Sequence, residues 1–170
     1  AVVITASGCG AALQEYGHLL RYDMAYADKA LQVSKAAKDV VEILAHENLT
    51  DIKVRLHEER LNEVTSVGKI AVHCPCTQQH AMQLPHKVKA LLDDLGFDTA
   101  DTKNDHLCCG SAGTYSLLQP KLSHQLRNQK IKDLTVGKPQ LIVTANIGCQ
   151  LHLGGTANVP VKHWLELLAT

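Results

Sequence analysis

Aromatic residues are scarce in this 170-residue chain, which has one Trp, four Tyr and one Phe. Base-stacking platforms for single strands are built from such rings, so their shortage argues against that class of ligand. Net charge is lacking as well, since seventeen Lys and Arg balance seventeen Asp and Glu. Without a clustered basic run there is nothing to displace counterions from phosphates, and nucleic acid is excluded as a partner. No apolar stretch approaches the roughly 20 residues of a membrane-spanning helix. Ala6-Ser7-Gly8-Cys9 faintly resembles a lipoprotein cleavage site, but no charged segment and no long apolar run precede it. The first residue is Ala rather than Met, and the chain is expected to begin inside a longer protein.

What is present begins with a hydrophobic content of 45%, enough to build a core and too much for a disordered chain. Six cysteines and ten histidines stand out next. Disulfide frameworks belong mainly to secreted domains too small for a core, so these cysteines are read as metal ligands or redox groups of a reduced, cytoplasmic protein.

Strand-like and helix-like segments alternate along the chain. Val2 to Thr5 reads as a strand, Ala11 to Leu20 as a helix, and Ala27 to Leu44 as a longer helix with Ala30, Val33, Ala37, Val40, Val41 and Leu44 on one face. Glu47 to Val67 reads as a polar connection with a short strand at Val54 to Leu56. Lys69 to Val72 is a strand, and Val88, Leu91, Leu92 and Leu95 mark a helix closed by Gly96. Phe97 to Ala100 is a weaker strand. Tyr115, Leu118, Leu122, Leu126 and Leu134 trace a long helix bent near Pro120. Strands at Gln140 to Ala145 and Val159 to Val161 precede a terminal helix at His163 to Ala169. The expected class is α/β, with a largely parallel sheet, flanking helices and cysteine clusters at the carboxyl ends of strands.

Val3-Ile4-Thr5-Ala6-Ser7-Gly8-Cys9 is echoed by Ile142-Val143-Thr144-Ala145-Asn146-Ile147-Gly148-Cys149. As an internal repeat, it divides the chain into residues 1–66, the tail of a first unit, and residues 67–170, a nearly complete second one. Unrelated strands that end alike are the alternative.

Five cysteines follow strands of the second unit. Cys74 and Cys76 come after the first, Cys108 and Cys109 after the second, and Cys149 after the third. The carboxyl ends of parallel strands share one edge, where ligands bind, so the three segments are expected to converge. Thiolates hold iron–sulfur clusters and zinc. Adjacent Cys108 and Cys109 suit two irons of one cluster better than one tetrahedral ion. Gly110-Ser111-Ala112-Gly113 lets the chain turn tightly into a helix, whose amides favour thiolates. His73 and His152 flank the same places, and each alone reads first as a hydrogen-bonded residue. His152, at Cys-x-x-His spacing from Cys149, is the better ligand candidate of the two.

Cys76, Cys108-Cys109-Gly110 and Cys149 in this order resemble the cysteine-rich CCG domain. That domain occurs twice in a subunit of the heterodisulfide reductases and in iron–sulfur subunits of glycolate, lactate and anaerobic glycerol-3-phosphate dehydrogenases. The strings Thr5-Ala6-Ser7-Gly8-Cys9-Gly10, Glu15-Tyr16-Gly17-His18-Leu19-Leu20, Leu107-Cys108-Cys109-Gly110-Ser111-Ala112-Gly113-Thr114-Tyr115 and Ala145-Asn146-Ile147-Gly148-Cys149-Gln150-Leu151-His152-Leu153 are most similar to the glycolate oxidase iron–sulfur subunits. The likeness extends over essentially the whole chain.

The resemblance implies the C-terminal part of an electron-transfer subunit. It would take electrons from FAD-containing subunits that oxidise glycolate and pass them toward quinone, with peripheral association at the inner face of the membrane through the complex. It implies an iron–sulfur cluster of the 4Fe-4S type, or zinc, held by Cys76, Cys108, Cys109 and Cys149, with Cys74 and His152 as further candidates. Cys9 would belong to the site of the first repeat. The chain departs from the family in ending its motif Cys-x-x-His where Cys-x-x-Cys is common. It has Cys74 where an acidic residue is usual, and it lacks the ferredoxin-like region. Alone, it is expected to be inactive and open to recovery without its cofactor. The competing readings are a structural Cys3His zinc site, a thiol–disulfide enzyme using Cys74-Pro75-Cys76, and a metal-free docking module.

Overall fold

A computed structural model describes residues 1–61 and 67–169. Its chain order is β1 (Val2–Ile4), α1 (Ser7–Leu19), α2 (Ala27–Ala36), β2 (Ala37–Asp39), α3 (Val40–Leu44) and α4 (Thr50–Leu61), followed by β3 (Ile70–His73) and a π-helical turn at Thr77–Ala81. Then come α5 (Lys87–Asp94), α6 (Tyr115–Leu118), α7 (Pro120–Leu134), β4 (Leu141–Thr144), α8 (Ile147–Gly154), β5 (Val161–His163) and a 3-10 turn at Trp164–Leu167. All described strand pairs are parallel, in a two-stranded sheet β1-β2 and a three-stranded sheet β3-β4-β5. The α/β class is as expected.

The β3-β4 pair is covered on both faces, which is why Ile70-Ala71-Val72 and Leu141-Ile142-Val143 are continuously apolar. Strand alternation sorts their side chains. Ile70, Val72, Leu141 and Val143 enter the larger core with Leu91, Leu92 and Trp164. Ala71 and Ile142 enter the smaller one with Leu134, Leu153, Cys109 and Cys149.

Several expected elements differ. The helix expected over Ala27 to Leu44 stops at Ala36, because Ala37-Lys38-Asp39 pairs with β1. Asp39 then starts α3 through a capping box, its carboxylate accepting from Val41 N and its own N–H donating to Glu42. The strand expected at Val54 to Leu56 is part of α4, whose start is tied down by Asn48 Oδ1 accepting from Thr50 N at 3.0 Å. Leu49 and Leu56 are its buried anchors.

Phe97 to Ala100 contributes only a single bridge, Thr99 to Ile70, although Asp98 and Ala100 bond the Ile70 backbone. The long helix breaks at Gln119, so that Pro120 opens α7 where its missing N–H costs nothing. Leu118 and Leu122 are exposed, and α7 buries Ser123, Lys130, Asp133 and Leu134 instead. The last strand sits at Val161–His163, followed by a 3-10 turn rather than a helix. The unit boundary expected between residues 66 and 67 falls at residues 62–66, outside the described residues.

The two echoing segments have the same local fold. β1 leads through a two-residue turn into α1 with Cys9 in its first turn, and β4 leads likewise into α8 with Cys149. The partner strands match too. Ala37-Lys38-Asp39 and Val161-Lys162-His163 each end in a capping box, with Glu42 and Glu166 at equivalent positions. The two turns meet, since Ser7 N donates to Ala145 O at 3.0 Å.

Candidate metal centre

β3 and β4 run side by side with His73 opposite Thr144, so the segments that follow them leave the sheet together. After β3 the chain passes Cys74 and Pro75 to Cys76, which opens the π-helical turn. After β4, Asn146 caps α8, its Oδ1 accepting from Gly148 N at 2.9 Å and Cys149 N at 3.4 Å. This cap fixes the turn that carries Cys149. Asn146 Nδ2 donates to Ser7 Oγ at 3.3 Å, and Ser7 Oγ lies 2.8 Å from Thr77 Oγ1. The start of α1 thereby joins the Cys149 turn to the Cys76 turn.

Cys108 and Cys109 reach the same place from a loop held by α7. Lys130, 1% exposed, donates from Nζ to Asn104 O at 2.8 Å and Asp105 O at 3.3 Å, pinning the loop just before the pair. Gly110 turns at φ +91, packed so closely on Ser123 and Leu126 that a side chain has no room. Ser123 Oγ donates to Gly110 O at 2.9 Å.

The cysteines interact in a chain, Cys76 with Cys108, Cys108 with Cys109 and Cys109 with Cys149, although among the described residues Cys76 and Cys108 fall in no group of three ligand atoms within 4.8 Å of one another. Hydrogen bonds from Cys109 and Cys76, assisted by Gly110 N at 3.3 Å, hold the Cys108 thiol far below its usual range. The same hydrogen bonds, with burial, push the Cys76 and Cys109 thiols up.

His73 joins this group. Its ligand atom and the sulfurs of Cys109 and Cys149 lie within 4.8 Å of one another, and all three residues are buried. Burial, and then the Lys130 charge, lower the His73 pKa to about 3 against the opposing pull of Cys108, so the ring is neutral.

The other candidates have partners elsewhere. Cys74 falls on the opposite face of β3, where its Sγ donates to Gln78 Oε1 at 3.8 Å beside Val72 and Val88. Burial pushes its thiol up. His152 Nε2 lies 3.3 Å from Ser123 Oγ, and its ring stacks on His124. Cys9 is exposed, and among the described residues it belongs to no metal-ligating group. Sequence reasoning missed Lys130 and undervalued His73. Lys130 sits between Leu126 and Leu134 on the buried line of α7, and His73 shares the strand parity of Ala71.

The pattern of the Cysteine-rich domain, CCG, matches residues 70–154, which span β3 to the end of α8 and contain five of the six cysteines, all but Cys9. The chain belongs to the CCG cysteine-rich domain family. It is similar to the glycolate oxidase iron-sulfur subunit of Escherichia coli strain K12, 49% identical over 168 residues, covering 99% of this chain and 39% of that protein. It is also similar to the probable glycolate oxidase iron-sulfur subunit of Bacillus subtilis strain 168, 27% identical over 99% of this chain and 38% of that protein. Lactate utilization protein A of the same organism is 24% identical over 98% of this chain and 69% of its own length. The chain thus spans well under half the length of its glycolate oxidase relatives. The CCG match includes Cys76, Cys108, Cys109 and Cys149, whereas the similarity to the relatives extends over α1 to α4 as well.

No helix among the described residues is long and apolar enough to cross a membrane.

Proposed function

We propose that this chain is part of the electron-transfer iron–sulfur subunit of a glycolate (2-hydroxy acid) dehydrogenase, taking electrons from FAD-containing subunits and delivering them toward quinone at the cytoplasmic face of the membrane. The buried His73, Cys109 and Cys149 donors within 4.8 Å of one another, with Cys108 and Cys76 interacting next to them, carry this reading, because soft donors from three segments fit a multi-iron centre. The orphaned His73 Nε2 beside them also fits a metal-lined site. An iron–sulfur cluster there would supply a one-electron relay. The chain's own work is to hold it: Asn146 and Ser7 fix two ligand turns, and Lys130 and Ser123 fix the third.

Residues 1–66 are read as the C-terminal tail of a first CCG repeat and residues 67–170 as the second. The matching β1-α1 and β4-α8 units, together with the paired capping boxes, support that division. Cys9, the counterpart of Cys149, would serve the first repeat's site.

Anaerobic addition of glycolate to the full-length subunit together with its flavin subunits tests the role. Bleaching of visible cluster absorption that is lost in Cys108→Ser is expected. Glycolate oxidation that leaves every cluster oxidised would overturn it.

A further inference from the structure

We propose that His73 is a fifth ligand of the centre, binding through Nε2 alongside the four cysteines; the assignment rests on the metal-centre reading above. His73 closes β3 on the face that also carries Ala71, Cys109 and Cys149, and it is 2% exposed. Nδ1 is 2.9 Å from Thr144 Oγ1. With Nδ1–H donating to that hydroxyl, Nε2 is left as a bare acceptor, and it has no hydrogen-bond partner although it is buried. A buried polar atom without a partner carries its desolvation cost with nothing to offset it. A metal relieves that cost by accepting the lone pair. Metal-bound histidines commonly have their other nitrogen held by a hydrogen bond in this way, and here Thr144 supplies it.

The distances suit a ligand shell. Donors about 2.0–2.3 Å from one ion lie roughly 3.5 Å from each other, and the His73, Cys109 and Cys149 donors already fall within 4.8 Å. The step balances simply. One dative nitrogen–metal bond forms from the Nε2 lone pair while Nδ1 keeps its proton, donated to Thr144, so no proton leaves the ring, whereas each coordinating thiol must release one. The chain's Cys-x-x-His ending points to a nitrogen ligand at His152. That ring instead pairs with Ser123 and stacks on His124, and the nitrogen comes from the end of β3. As a neutral fifth ligand the imidazole adds no negative charge, so the centre is less negative than with a fifth thiolate, which raises its reduction potential.

The test is pulsed electron paramagnetic resonance on the chain reconstituted anaerobically with iron and sulfide, with and without isotopically labelled histidine. A strongly coupled nitrogen that responds to the label is expected. It should persist in His152→Leu and disappear in His73→Leu. Where His73→Leu does not fold, the label response in wild type and in His152→Leu still decides. Iron and sulfide bound without a coupled nitrogen would overturn the assignment, as would a coupling lost in His152→Leu. Failure to bind iron and sulfide would overturn the underlying reading, a separate and recognisable result.

Discussion

His73 and Thr144 face each other across the ends of β3 and β4, Nδ1 2.9 Å from Oγ1, in a position where neither meets water. The pair converts strand register into ring orientation. Thr144→Val keeps the shape and removes the hydroxyl, leaving both ring nitrogens without a partner in the metal-free protein. A loss of about 1–3 kcal/mol is expected, read as a lower urea midpoint with an unchanged slope.

Gly110 is held at φ +91 against the Ser123 carbonyl. Gly110→Ala should therefore cost about 1–3 kcal/mol in backbone strain alone, with the steric clash added. Thermal unfolding of this variant beside Gly113→Ala makes a useful contrast. Gly113 also has positive φ, but an added Cβ there meets nothing within 4 Å. The Gly110 variant should melt lower than the Gly113 variant.

Lys130 is a buried cation whose partners are the carbonyls of Asn104 and Asp105. Lys130→Met fills the same volume but removes the charged donor from those carbonyls, which keep only Leu107 N on Asn104 O and Gln79 Nε2 on Asp105 O. The expected cost is about 1.5–3 kcal/mol, the range for hydrogen bonds to charged groups. Hydrogen exchange should show the loosening first in residues 104–109, and a stability equal to wild type would contradict the role.

Asp39 is 1% exposed and its pKa is raised by burial, against the lowering effects of Val41 and Gln78. At pH values between the ordinary carboxylate pKa and the raised one, the folded state holds a proton that the unfolded state has already lost. This group's contribution is present in full below the ordinary carboxylate pKa and is lost as pH rises through the folded-state value. Relative to Asp39→Asn, wild type should gain stability as pH falls from neutral into the acid range. Denaturant titrations of both proteins across that window check the sign, and a difference independent of pH would contradict it.

Adjacent cysteines with a following glycine, placed after buried-type strands, are what make Cys76, Cys108, Cys109 and Cys149 site candidates from the sequence, and the structure brings Cys109 and Cys149 together with His73. Their chemistry depends on spacing and order, which a sequence displays directly. Strand β2 is hidden because Ala37, Val40, Val41 and Leu44 fit a helical face as well as they fit a strand followed by a short helix. The recurrence of Ala37-Lys38-Asp39-Val40-Val41-Glu42-Ile43-Leu44 as Val161-Lys162-His163-Trp164-Leu165-Glu166-Leu167-Leu168 is the signal that exposes it. His73 reads as a lone histidine until the parity of β3 puts it on the cysteine side and Cys74 on the other. Lys130 is a residue type that pattern reasoning assigns to solvent, and only the carbonyls of the 104–105 loop explain its burial.

The proposed role requires that Cys76, Cys108, Cys109 and Cys149 hold one iron–sulfur centre. Iron, zinc and acid-labile sulfide analysis, with visible absorption, tests this on the anaerobically reconstituted chain and on its Cys108→Ser and Cys109→Ser variants. A coloured wild-type protein containing iron and sulfide is expected, with both lost from the variants. A colourless wild-type protein containing zinc, with neither iron nor sulfide, would contradict it.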